Sequence, residues 1–195
     1  MQKKNYLYKT VSVAMLTAIA TVLYIVEIPL MPSFGFLKYD LSDIAALIGG
    51  IVFGPLAGVV IELLKNIIHV LVRGAGETLG FGNVMNFIVG VLYIVPFTVS
   101  YNLLSRKKKK AFAISVSAVI GCVFTVVAGA GANYVIAPLF FKYFLHQIMS
   151  NDFLMTYLAS SAALNAMKSV ILSAVAYPVI FILLGKLKKV SRIGE

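Results

Sequence analysis

The chain has 195 residues, 61% of them apolar and only 12% charged, with a mean hydropathy of +0.96. Soluble domains average ~45–50% apolar and ~25% charged residues, and a chain this short has too much surface to hide the excess. A soluble globular enzyme, a disordered chain and a disulfide-rich secreted module are therefore excluded, and an integral membrane protein remains. The net charge of +10 collects at the ends of apolar runs, so it reads as a topology signal and not as a nucleic-acid footprint.

At ~20 residues per spanning helix, the length accommodates about six spans in one membrane-embedded domain, 1–195. The first apolar run is Val11–Val26, and a loop rich in Pro, Gly and aromatics follows to about Asp43. No small-residue cleavage site ends the first run, so no signal peptide is expected. The run from Ile44 to Val72 is broken by Gly54-Pro55. Proline has no N–H and disfavours helix at the residue before it, so two spans meet there, the first of them short. Four glycines between Arg73 and Gly82 mark a loop. A fourth span covers Asn83–Leu104 with an expected kink at Pro96. The fifth runs from Ala111 toward Phe144, loosened at Gly129-Ala130-Gly131 and Pro138. His146–Asp152 is a polar loop, and the sixth span covers Phe153–Leu184.

Lys3, Lys4 and Lys9, then Arg106–Lys110, then Lys186, Lys188, Lys189 and Arg192 make 12 of the 17 basic residues. Six spans with a cytoplasmic N-terminus put all three clusters on the cytoplasmic side, as the positive-inside rule requires, whereas five spans would not. The expected fold is an all-α bundle of six transmembrane helices with both termini cytoplasmic and the loops at 27–43, 73–82 and 146–152 outside.

Polar groups inside a membrane are costly and mark candidate functional sites. Asn133 in span five and Asn165 and Lys168 in span six lie at similar depth, the last two at i,i+3 on one face. They suggest one pocket open to the outside, although an interhelical hydrogen bond or a cap at the Gly129–Pro138 region would also account for the asparagines. Lys168 lies too deep to reach the surface easily and needs an acceptor. Glu62, Lys65, Asn66 and His69 form a stripe on span three, read as an internal Glu62–Lys65 ion pair buttressed by Asn66, with His69 at the interface. Ala14-Met15-Leu16-Thr17-Ala18 has the small-xxx-small spacing that admits a close helix, whether inside this bundle or from another protein. Two histidines and the lone Cys122 give no metal site. No nucleotide-binding, hydrolase or metalloprotease motif is present. The chain reads as a binder or carrier without an energy source of its own and not as an enzyme.

The order Lys38-Tyr39-Asp40-Leu41-Ser42-Asp43, Phe53-Gly54-Pro55-Leu56-Ala57-Gly58 and Glu62-Leu63-Leu64-Lys65-Asn66, followed by Asn133-Tyr134 and by Asn165 with Lys168, resembles the riboflavin-specific substrate-binding subunit (S component) of energy-coupling factor (ECF) transporters. The resemblance runs over nearly the whole chain. It implies a six-helix membrane bundle in the bacterial cytoplasmic membrane that takes up riboflavin as a transported ligand, with no cofactor. It implies that Asn133, Asn165 and Lys168 hydrogen-bond the polar edge of the isoalloxazine ring, and that Tyr39, Asp40 and Leu41 belong to a loop that closes over the ligand. It implies that Ala14 and Ala18 pack on a transmembrane coupling subunit, which works with two ATP-hydrolysing subunits. FMN or another vitamin as cargo, and a small membrane protein without a transport role, are the competing readings.

Overall fold

The computed structural model describes residues 2–29, 38–75 and 79–193, without side chains at 2–5, 29 and 183–193. The expectations placed on 30–37, on 76–78 and on the side chains of Lys3, Lys4, Lys186, Lys188, Lys189 and Arg192 lie outside the described residues. Six helices follow one another: α1 Gln2–Ile25, α2 Asp43–Phe53, α3 Pro55–Arg73, α4 Phe81–Leu104, α5 Lys110–Phe144 and α6 Asn151–Ile193. Between α1 and α2, Ile28–Pro29 (β1) pairs antiparallel with Lys38–Tyr39 (β2), Ile28 opposite Tyr39.

Five helices are long and apolar enough to cross a membrane, α1 and α3 to α6. The 11 residues of α2 reach only about 16 Å at ~1.5 Å per residue, half of the ~30 Å hydrocarbon core. Its end is set by Gly54, whose φ of 98° lies in the region that favours glycine, and Pro55 then opens α3 at a position where its missing N–H costs nothing. The resulting hairpin is tight because Gly58 lies against α2: a Cβ there would come within 3.0 Å of the Ala46 carbonyl oxygen and 3.3 Å of Gly50 Cα. α2 also touches α4 and α6, so its short backbone is covered by neighbours.

The two helices with internal prolines keep the bounds expected of their apolar runs to within two residues. α4 runs through Pro96 and α5 through Gly129–Gly131 and Pro138 without a break. In an apolar surrounding a freed backbone group has no water to turn to, so the ladder continues on either side of each proline. Asn133 Nδ2 donates to the Gly129 carbonyl at 3.0 Å, and Thr125 Oγ1 to that of Gly121 at 2.8 Å.

Two apolar cores result. One packs Ala46, Leu47, Ile61, Ile94, Phe97, Ile114 and Ile180 around Tyr93. The other gathers Phe81, Met85, Val89, Ala137, Phe140 and Tyr157 toward the N-terminal end of α4. Val13 of α1, Leu104 of α4, Ala113 of α5 and Ile180 of α6 share the first core. Large apolar side chains face outward on every long helix, Leu56, Leu71 and Val127 among them.

Candidate functional site

The polar stripe of α3 turns inward, toward the segment that opens α2. Glu62 and Lys65 are fully buried, and Asn66 and His69 nearly so. Lys65 Nζ forms an ion pair with Asp43 Oδ1, donates to Ser42 Oγ at 2.6 Å and stands 2.9 Å from Glu62 Oε1. The other Asp43 oxygen, Oδ2, takes Lys168 Nζ at 3.0 Å, and Asp40 Oδ2 takes the same ammonium at 3.3 Å. Asp40 also accepts from the Ser42 backbone N–H at 2.9 Å, from the Ser42 hydroxyl, and from Asn86 Nδ2 at 3.2 Å. Two lysines from α3 and α6 thus clamp one short acidic segment, Asp40–Asp43. Buried pairs of this kind are costly to form and costlier to leave half-made.

The acceptor that Lys168 requires is therefore the Asp40–Asp43 segment. The Glu62–Lys65 pair expected from i,i+3 spacing is present, with a second acid, Asp43, added from α2. Asn66 does not buttress the carboxylate; its Nδ2 donates to the Glu62 carbonyl at 2.9 Å. Glu62 itself meets Lys65 by charge alone, since neither carboxylate oxygen accepts a hydrogen bond. It fits because α4 has glycine opposite it: a Cβ on Gly90 would lie 2.6 Å from Glu62 Oε2. His69 is corrected from interfacial to buried. It stacks on Tyr24 of α1 with ring centroids 4.0 Å apart and meets Asn83 of α4 at 2.9 Å, cover that the pattern of α3 alone does not reveal.

Beside the clamp lies a small polar cavity of about 70 Å³, walled by Asn86 and Val89 of α4, Asn133 of α5 and Asn165 and Lys168 of α6. Asn133 is held firmly: its Nδ2 donates to the Gly129 carbonyl and to Ser161 Oγ, both at 3.0 Å, and its Oδ1 accepts from the Tyr157 hydroxyl at 2.5 Å. Asn165 differs. Its Nδ2 is buried without a partner, and Gly129 makes room for it, a Cβ there lying 3.3 Å away. Buried unpaired donors are rare and call for a ligand or water. All three predicted polar groups thus line one cavity, and Lys38 of β2 stands at its edge.

Tyr39 is buried, with its hydroxyl unpartnered; burial pushes that hydroxyl up to about 12, so it is neutral at physiological pH. Leu41 is 37% exposed. Ala14 and Ala18 face outward from α1, whereas Thr17 and Ala20 between and beyond them face the bundle. Tyr157, Ser161 and Asn86 were not singled out by sequence. A signal existed for α6, because Tyr157, Ser161, Asn165 and Lys168 recur at i, i+4, i+8 and i+11, one polar face in an apolar helix.

A cleft of about 600 Å³ opens between α3, α4 and α5, lined by groups such as Leu63, Ile67, Phe87 and Leu139. Its size does not make it the site, because its walls are almost wholly apolar and carry no charged side chain to orient a polar ligand. Among the described residues no group of three histidine, cysteine or acidic side chains is arranged to hold a metal ion.

Residues 9–180 match the model of the family described as ECF transporter, substrate-specific component. The riboflavin transporter FmnP of Bacillus subtilis (strain 168) is 33% identical over 176 residues, 89% of this chain and 90% of that protein. The riboflavin transporter RibU of Staphylococcus aureus (strain TCH60) is 26% identical over 176 residues, 90% of this chain and 87% of that protein. Among solved structures, one described as the S component of a bacterial ECF transporter superposes with a TM-score of 0.73 at 22% identity, covering 97% of this chain and 99% of that one. The shared helical architecture and the family match over most of the length agree, and the chain belongs to the substrate-specific components of ECF transporters, which are multi-pass membrane proteins.

Proposed function

We propose that this chain, 1–195 as one domain, is the riboflavin-binding subunit of a bacterial ECF vitamin transporter. The observation that carries the reading is the convergence of Asn133, Asn165 and Lys168, from two helices, on one buried polar cavity. Two amides and an ammonium complement the uncharged pyrimidine edge of a flavin, with its carbonyl oxygens and ring N–H. The relatives named riboflavin transporters support the same cargo. Tyr39, Asp40 and Leu41 would cover the ligand from the clamped segment. The cavity has room for about two waters at ~30 Å³ each, whereas small-molecule pockets run to ~300–1,000 Å³. Binding a tricyclic ring therefore widens it, and the Asp40–Asp43 clamp is the element adjoining it.

In this reading both termini and the three basic clusters are cytoplasmic, α2 is a short sixth membrane helix, and the cavity faces outside. The chain captures riboflavin and hydrolyses nothing; energy comes from a transmembrane coupling subunit and two ATP-hydrolysing subunits. The outward-facing Ala14 and Ala18 on α1 offer the small-residue face such a subunit could pack on. FMN is the second cargo considered. Lys38 at the cavity edge would suit a phosphate, but it is already paired with Glu27 at 2.8 Å, which favours the uncharged vitamin. The test is the absorbance spectrum of detergent-purified protein, expected to carry flavin bands, with competition by FMN expected to be the weaker. Absence of flavin binding after incubation with riboflavin contradicts the proposal.

A further inference from the structure

The β1–β2 ribbon carries a charge pair that the Asp40–Asp43 clamp does not use. Lys38 stands opposite Pro29, and Glu27 precedes Pro29 by two residues, so both side chains leave the ribbon on the same face. Glu27 Oε2 accepts from Lys38 Nζ at 2.8 Å, and Glu27 Oε1 lies 3.5 Å from His69 Nε2 of α3. Among the described residues, two charged side chains line the polar cavity, Lys38 and Lys168. Lys168 is buried and engaged by Asp40 and Asp43. The Lys38 side chain is 46% exposed, so it marks the mouth.

A flavin and its phosphate ester differ by about two negative charges near neutral pH. A dianion is too costly to bury without cations of its own, and the deep cation of the wall already faces two carboxylates. The phosphate therefore stays at the mouth, whichever way the ribityl chain runs, and the charges there decide whether it is accepted. An unpaired lysine would attract it. Glu27 cancels that attraction from within one hydrogen-bond length. We infer that Glu27 is a specificity-determining residue, which neutralises Lys38 at the cavity mouth and so withholds from phosphorylated flavins an exposed cation that would bind their phosphate. The inference rests on the riboflavin reading and deepens it by naming the group that sets the preference for the uncharged vitamin.

The experiment titrates riboflavin and FMN into wild type, Glu27→Gln, Lys38→Gln and the double variant in detergent, at a pH of about 8, where phosphate is a dianion and imidazoles are uncharged. The pair is then neutral in wild type, positive in Glu27→Gln, negative in Lys38→Gln and neutral again in the double variant. Glu27→Gln is expected to tighten FMN by about fivefold, the weight of one exposed charge. Lys38→Gln is expected to widen the preference for riboflavin by about the same factor. The double variant is expected to return the ratio of the two affinities to within about a factor of two of wild type. A loosened fold cannot improve FMN binding, so a merely structural Glu27 would weaken both flavins together. That result overturns the inference, as does a ratio that is the same in all four proteins. If Glu27→Gln does not fold, Lys38→Gln carries the test alone, and an unchanged ratio there overturns the inference. A wild type that binds neither flavin overturns the riboflavin reading itself, whereas a wild type that binds riboflavin with a ratio indifferent to Glu27 overturns only the role of that carboxylate.

Discussion

The clamp around Asp43 and the cavity around Asn165 are neighbours that share Lys168, yet they are built on opposite principles. In the clamp, Lys65 and Lys168 each face two carboxylates, and the serine between the acids is bonded on both sides. In the cavity, a buried amide N–H is left with nothing to bond. The clamp is organised for the protein's own stability, and the cavity for something that is not part of the chain. In the clamp the charges are paired, Glu62 meeting its cation without a hydrogen bond, and paired charges hold the fold together, whereas the unpartnered Asn165 N–H borders open space that a ligand can fill.

The contrast is broken most forcefully in the clamp. Lys65→Met strips Asp43 of one counter-charge and leaves Glu62 buried without a cation. It is expected to destabilise the protein by about 3–5 kcal/mol, read as a large fall in the melting temperature in detergent. Gly90→Ala attacks the same carboxylate from α4. The added methyl has no room beside Glu62, and a loss of about 1–3 kcal/mol is expected from overpacking, again with no ligand present.

Lys168→Met tests the shared residue and is expected to affect both regions. Riboflavin affinity should fall by about 1.5–3 kcal/mol, the range for a hydrogen bond to a charged group, and the melting temperature should fall with it because Asp40 loses its cation. Asn165→Ala separates the two. It should cost about 1–1.5 kcal/mol of riboflavin binding while leaving the ligand-free melting temperature unchanged or slightly raised, since no bond is lost when an unpaired donor is removed. A fall in stability matching that of Lys168→Met would show that Asn165 belongs to the protein's internal network.

Ala14→Leu is expected to have the smallest effect on the isolated chain. Ala14 faces outward on α1, so stability should change by no more than about 0.5 kcal/mol and riboflavin affinity should not change. Riboflavin uptake in cells is the readout expected to fall, through lost docking to the coupling subunit. Unimpaired uptake would remove that face from the interface.

Much of the architecture was legible in the sequence because the bilayer enforces it. The apolar runs, the Gly54-Pro55 break and the glycine loop before α4 located the helices to within a turn, apart from α1, which begins well before the apolar run, and α6, whose polar C-terminal turns continue past it. α5 runs through Gly129 and Pro138 as one helix, over the length expected of its apolar run. For the site, Asn133, Asn165 and Lys168 stood out because polar groups are rare in such helices. Their environment did not. That Lys168 reaches Asp40 and Asp43, some 125 residues earlier, depends on how α2 and α6 cross. The burial of His69 likewise depends on Tyr24 and Asn83, which no single-helix periodicity connects to it. Tyr157 resembled an ordinary core aromatic until its hydroxyl was placed on Asn133.

The central claim is that the unfinished amide pocket awaits a flavin. It is tested most directly by titrating riboflavin into the purified wild-type chain and following flavin fluorescence. Saturable quenching at one flavin per chain, shifted to weaker binding in Asn165→Ala, is the predicted result. Fluorescence that rises in proportion to added riboflavin, as it does in detergent alone, would contradict it.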